Sequence, residues 1–241
     1  MNVLSIGNSF SQDATRYLHQ IAESDGVPLT CVNLFIGGCS LLTHWENAKD
    51  DKKAYLYERN GERTERMVSI KGALLSEHWD VVTLQQCSPK SFDYASYQPY
   101  LDNLANDVRT LAPDAKLYIH QTWAYEDGSE RLAGVGYASF EAMANDIIAA
   151  YRRAAKDIHA DGVLCCGQAF LNAFYENLGP LHRDSFHASL GMGRYILAAV
   201  WYETLTQKSI LKNTWDGFDE PVPDIDRVKQ VVHQTVAQSL Q

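Results

Sequence analysis

Five apolar runs of strand length punctuate the chain, at Asn2 to Ile6, Leu29 to Ile36, Val81 to Leu84, Lys116 to His120 and Gly162 to Cys165. Between them the apolar positions recur at helical spacing, over Gln12 to Asp25, Thr64 to His78, Tyr97 to Leu111, Phe140 to Asp161, Ala169 to Leu178 and Ser189 to Thr206. Continuous apolar strands alternating with amphipathic helices predict a parallel sheet covered on both faces, a three-layer α/β/α sandwich. "APDAK" at Ala112 to Lys116 is a helix stop followed by a turn. The segment Leu41 to Arg63 is too polar and aromatic for simple core and reads as an insertion, with "NG" at Asn60 and Gly61 as a hairpin turn. Residues 207–241 form a C-terminal extension with Pro221 and Pro223 ahead of a last short helix, and no second-domain boundary is visible, so 1–241 reads as one domain.

Composition narrows the class of partner. The 241 residues carry a formal net charge of −9 with Lys and Arg scattered, which argues against nucleic acid and anionic lipid and for a small-molecule partner. Five cysteines, Cys31, Cys39, Cys87, Cys165 and Cys166, form no C-x-x-C pair, as expected of buried thiols in a reducing, cytoplasmic setting. No apolar run approaches the roughly 18 residues of a membrane span.

In sheets of this kind ligands gather beyond the carboxyl ends of the strands. There the chain places "GNSFS", "NLFIGGCS", "TLQQCS" and "IHQTW", and a loop before the last long helix adds "RDSFHAS". Asp184 and His187 are three residues apart, a spacing at which the carboxylate can hold Nδ1 of the imidazole and leave Nε2 free. Ser9, at the junction of a strand and a helix, has the exposure and fixed direction a nucleophile needs; the competing reading is that Ser9 or Ser11 is a helix cap. No G-x-S-x-G elbow, P-loop, G-x-G-x-x-G or H-E-x-x-H is present, and neither metal nor cofactor is called for.

The ordered set "GNSFS", "NLFIGGCS", "TLQQ" and "DSFH", from about Val3 to Tyr202, resembles the SGNH, or GDSL-type, hydrolase superfamily, and within it a bacterial subgroup with "GNSFS", "IGGCSL", "VVTLQQ" and "HQTWAY". The resemblance implies a flavodoxin-like fold of about five strands in the order 2-1-3-4-5. It makes Ser9 the nucleophile, His187 the base and Asp184 its orienting partner. Asn8 stands where the superfamily usually has Asp. The second block, Asn33 to Gly38, supplies the N–H of Gly38, or of its neighbour Gly37, to an oxyanion hole shared with the Ser9 N–H. The third block departs from G-x-N, leaving a glutamine as the side-chain donor, Gln86 first and Gln85 second. His120, Gln121 and Trp123, with His44 and Trp45 from the insertion, are expected to wall the cleft, while Arg183 is read as solvated. The implied activity is hydrolysis of short acyl esters, acetyl foremost, possible carriers being carbohydrates. An acyltransferase, a thioesterase, a silent carbohydrate-binding module and a cysteine enzyme built on Cys39 are the rivals.

Overall fold

The computed structural model describes residues 1–239. Its centre is a seven-stranded sheet in the order β4-β3-β2-β1-β5-β6-β7. The strands are β1 (Asn2–Gly7), β2 (Thr30–Phe35), β3 (Tyr55–Arg59), β4 (Glu62–Val68), β5 (Val81–Leu84), β6 (Lys116–His120) and β7 (Gly162–Leu164). The five strands foreseen from the apolar runs are all parallel and lie in the expected order, with β1 between β2 and β5. They are apolar on both faces because helices cover both, and β1 and β5 are buried almost end to end.

The insertion explains the two extra strands. It forms α3 (Leu41–Lys49) and then a hairpin, β3 antiparallel to β2 and β4 antiparallel to β3. The hairpin turns at Asn60 and Gly61, both at positive φ (53° and 81°), the backbone that a tight two-residue hairpin requires. The helix expected over Thr64 to His78 is corrected here. Thr64 to Val68 belongs to β4, and only α4 (Ile70–Leu74), capped by Ser69, is helical. β4 is an edge strand whose side chains are mostly exposed, so "ERTERMV" carries no alternation that would identify a strand.

The first helical stretch is split into α1 (Ser9–Thr15) and α2 (Leu18–Ser24). These pack with α8 (Cys166–Tyr175), α9 (Met192–Thr206) and α10 (Ile225–Ser239) on one face of the sheet. On the other lie α3, α4 and α5 (Tyr100–Leu111), while α7 (Phe140–Asp157) runs beside β6 and β7; a short α6 (Glu130–Gly134) precedes it. Helix α9 is buried nearly all round, because α1, α2, α8 and α10 enclose it. Residues 208–239 are thus an integral part of the domain. β7 stops at Leu164, one residue short of the expected Cys165, because Cys165 caps α8 and Cys166 opens it, and all five thiols are free and buried. Among the described residues no helix is long and apolar enough to cross a membrane.

Candidate active site

The strand β1 stops where Gly7 gives way to Asn8. Asn8 caps α1, its Oδ1 accepting the Phe10 N–H at 2.9 Å, and the Ser11 hydroxyl accepts the Asn8 N–H in return, also at 2.9 Å. A Cβ on Gly7 would sit 1.9 Å from the Ser11 Oγ, so the return bond requires glycine there. Ser11 also meets Asn33 Oδ1 at 2.8 Å, and Asn33 donates to the buried Glu58, which Gln12 contacts as well. Capping is therefore done by Asn8 and Ser11, and Ser9 keeps its hydroxyl free of that duty.

The Ser9 Oγ lies 2.9 Å from His187 Nε2, and His187 Nδ1 lies 2.7 Å from Asp184 Oδ2. Asp184 Oδ1 accepts the backbone N–H of His187 at 2.8 Å, so one carboxylate fixes both ring and main chain. Burial pushes the Asp184 carboxyl up, but the His187 ring and backbone donors outweigh it and hold the group below its ordinary value. The loop carrying the pair is braced. His182 bridges Ala188, Arg183 N–H donates to His187 O, and Ser185, at φ 68°, receives the Glu126 N–H. Arg183 reaches back to both oxygens of Asp13 at 3.0 Å, and Arg194 donates to the same carboxylate at 2.9 Å. The expected solvated arginine is in fact the strut between loop and α1. Beneath the loop, Phe10 stacks on Trp123 with ring centroids 4.1 Å apart, and the Trp123 N–H donates to Phe186 O at 2.9 Å.

An open cleft of about 480 Å³ exposes this constellation, lined by Asn8, Ser9, Phe35, Gly37, Gly38, Ser88, Arg183, Phe186 and His187 among others. The lining comes from the ends of β1 and β2 and the loop after β5, where the sheet order reverses. Size does not single it out. A hollow of about 690 Å³ around Tyr94, Gln98 and Arg153 holds no nucleophile and base. Gly38 adopts φ 64°, and among the described residues the N–H groups of Ser9, Gly37 and Gly38 have no protein acceptor.

Neither glutamine is available to an oxyanion. Gln86 accepts from Leu41 and Cys87 N–H and donates to Ser96 O and Oγ, each donor contact 3.1 Å long, tying β5 to α3. Gln85 donates to Asn8 Oδ1 at 2.8 Å and accepts from His120 Nδ1 at 2.7 Å. Asn8 completes the chain by donating from Nδ2 to Cys39 O at 3.1 Å, so the neutral amide is both acceptor for β5 and donor to the glycine loop. A carboxylate at position 8 keeps the first contact and turns the second into a repulsion. Asn8→Asp is expected to cost about 1–3 kcal/mol in denaturant unfolding, the range for leaving a buried carbonyl unpaired.

The anticipated wall residues lie elsewhere. His120 and Gln121 are buried, the first against Trp201 and the second holding the Gln168 N–H at 2.8 Å. Trp123 is wholly buried under Phe10, and Trp45 packs against the core outside the cleft lining. β6 ends away from the switch point, and side chains of α8 and α9 cover the residues at its end, Trp201 against His120, Gln168 at Gln121 and Phe170 stacked on Trp123. His44 is buried with its Nδ1 2.9 Å from Tyr55 Oη and 3.5 Å from Cys39 Sγ. This is the base that Cys39 lacks in the sequence, yet burial raises the thiol to about 12 and lowers His44 to about 3. Both stay neutral across ordinary pH, so no thiolate forms. Cys39→Ser is expected to leave ester turnover within about twofold, and iodoacetamide to leave native protein unlabelled at this thiol by peptide mapping. Among the described residues no group of three or more His, Cys, Asp or Glu converges as a metal site.

Comparison places these features in a wider set. Residues 2–235 match the family described as "Domain of unknown function (DUF4886)". A DUF4886 family protein from Bacteroides uniformis is 34% identical over 98% of this chain and 95% of its own, with a TM-score of 0.90. A Slackia heliotrinireducens protein provisionally assigned as an SGNH hydrolase shares 23% identity over 85% of this chain and 98% of its own, TM-score 0.62. A carbohydrate esterase family 3 protein from Talaromyces cellulolyticus is 13% identical over 86% of this chain and 96% of its own, TM-score 0.54. The fold is thus one shared with SGNH hydrolases. No curated protein matches the sequence.

Proposed function

Because the chain belongs to the DUF4886 family, whose description specifies no reaction, we propose from its own geometry that it is a serine esterase cleaving short acyl esters. The observation that carries this reading is the continuous chain from Ser9 Oγ through His187 to Asp184, with contacts of 2.9 and 2.7 Å. His187 Nε2 takes the Ser9 proton as Oγ attacks the ester carbonyl carbon, and Asp184 steadies the imidazolium that forms. The N–H groups of Ser9 and Gly38, which have no protein acceptor among the described residues, stabilise the tetrahedral oxyanion. The intermediate collapses, His187 returns the proton to the leaving alkoxide, and water cleaves the acyl-enzyme by the same base.

The cleft supports small substrates. Its volume of about 480 Å³ lies at the low end for small-molecule pockets, and it is open to solvent. Phe35 and Phe186 offer apolar faces suited to an acetyl group on a sugar ring, a class in keeping with the carbohydrate esterase that shares the fold. A binding-only role has no use for a nucleophile, base and orienting carboxylate in register. The test is turnover of a chromogenic acetate by the purified protein, with fluorophosphonate labelling mapped by peptide. Covalent label on Ser9 together with acetate turnover supports the reading. Absence of both, in protein shown to be folded, sinks it.

A further inference from the structure

The polar groups around Ser9 can be accounted for one at a time. The Asn8 amide is spent on Gln85, Phe10 and Cys39, the Gln12 amide donates to Glu58, Gln85 bonds Asn8 and His120, and Gln86 bonds Leu41, Cys87 and Ser96. Arg183 is anchored by Asp13 and Ala188 O through one nitrogen. Among the neutral polar side chains of the cleft lining other than Ser9, that leaves Ser88, in the loop after β5. Its carbonyl accepts the Ser91 hydroxyl at 2.8 Å, which fixes the turn, and its Oγ accepts the hydroxyl of the buried Tyr125 at 3.1 Å.

A serine hydroxyl has one proton to give and two lone pairs to receive. Tyr125 fills a lone pair, and among the described residues nothing accepts the Ser88 proton. The residue is only 7% exposed, so water serves that proton poorly and an oxyanion within reach serves it well. Resting on the assignment of Ser9 as nucleophile, we propose that Ser88 Oγ–H is the third donor of the oxyanion hole, standing in for the side-chain amide that Gln85 and Gln86 cannot offer. Tyr125 is its positioning residue, since the phenol proton sets which way the serine proton faces.

A donor aimed at developing charge acts on kcat and leaves KM nearly alone. The experiment measures kcat and KM for a chromogenic acetate, and the rate of fluorophosphonate labelling, for wild type, Ser88→Ala, Ser88→Thr, Tyr125→Phe and the Ser88→Ala/Tyr125→Phe double variant. Ser88→Ala is expected to lose about 100-fold in kcat with KM unchanged, and to lower the thermal midpoint by only a few degrees as the buried Tyr125 hydroxyl loses its acceptor. Ser88→Thr, which restores the hydroxyl, recovers most of the rate. Tyr125→Phe loses about tenfold, and the double variant is no slower than Ser88→Ala, as required if Tyr125 acts through Ser88. With wild type active, a Ser88→Ala kcat within about threefold of wild type overturns the assignment while leaving the esterase reading intact. So does a Ser88→Thr variant as slow as Ser88→Ala. A folded wild type that neither turns over acetate nor labels overturns both.

Discussion

Replacing Ser9 with alanine is expected to lower acetate turnover by about four to six orders of magnitude, to near the background rate, the usual result of removing a nucleophile from a working triad. Stability should barely change. Among the described residues Ser9 Oγ bonds only His187, while the cap of α1 rests on Asn8 and Ser11. Asp184→Asn is the companion test, expected to cost roughly 10²- to 10⁴-fold in kcat, the span of general-base effects. Asp184 is 44% exposed, so water replaces part of what the carboxylate does and the loss should fall short of that for Ser9. The direction of its shift also fixes a pH expectation. A carboxyl held below its ordinary value contributes fully above the unfolded value and loses that contribution only as pH falls through the lower, folded one. Any decline in rate between neutrality and about pH 4 therefore belongs to another group. A Ser9→Ala variant retaining a tenth of wild-type turnover would remove Ser9 from the mechanism.

The grouping of Ser9, His187 and Asp184 was legible for a local reason. Asp184 and His187 meet within one turn of chain, and Ser9 follows a buried strand whose direction the apolar run declares. The parallel sheet was legible because β1, β2, β5, β6 and β7 fall on apolar runs with helices between. What the sequence hid depends on partners far along the chain. Gln86 binds Leu41 and Ser96, 45 and 10 residues away, and Gln85 binds Asn8 and His120, so no local pattern tells a strand-end amide that faces the cleft from one that staples two elements. Ser88 stood within "QQCS" all along. Its role emerges only once the two preceding amides are seen to be occupied. Likewise β4, exposed at the sheet edge, shows the charged spacing of a helix surface, and only its pairing with β3 makes it a strand.

Asp13→Asn should produce the largest loss of stability among single changes near the site, about 3 kcal/mol, the lower end of the range for breaking a buried ion pair. On a chain of this length that lowers the thermal midpoint by roughly 6–12 °C. The Asp13 side chain is completely buried and serves two guanidinium groups, from Arg183 and Arg194, 170 and 181 residues away. Without its charge, Arg194 keeps Asp219 at 2.8 Å, but Arg183 keeps only the Ala188 carbonyl. Arg183 is 27% exposed and can turn to water, which keeps the cost from the top of the range. Its turning has a second consequence, because it immediately precedes Asp184. The loop that places His187 against Ser9 loses its strut to α1, and kcat should fall about tenfold or more even at temperatures where the variant is fully folded, as expected when a base is misplaced by about 1 Å. A double variant, Asp13→Asn with Arg183→Gln, separates the two effects. If stranded charge drives the instability, the double variant is more stable than the sum of the single changes, while its kcat stays low because the strut is still missing. Equal midpoints for wild type and Asp13→Asn would show that the ion triad does not hold the loop.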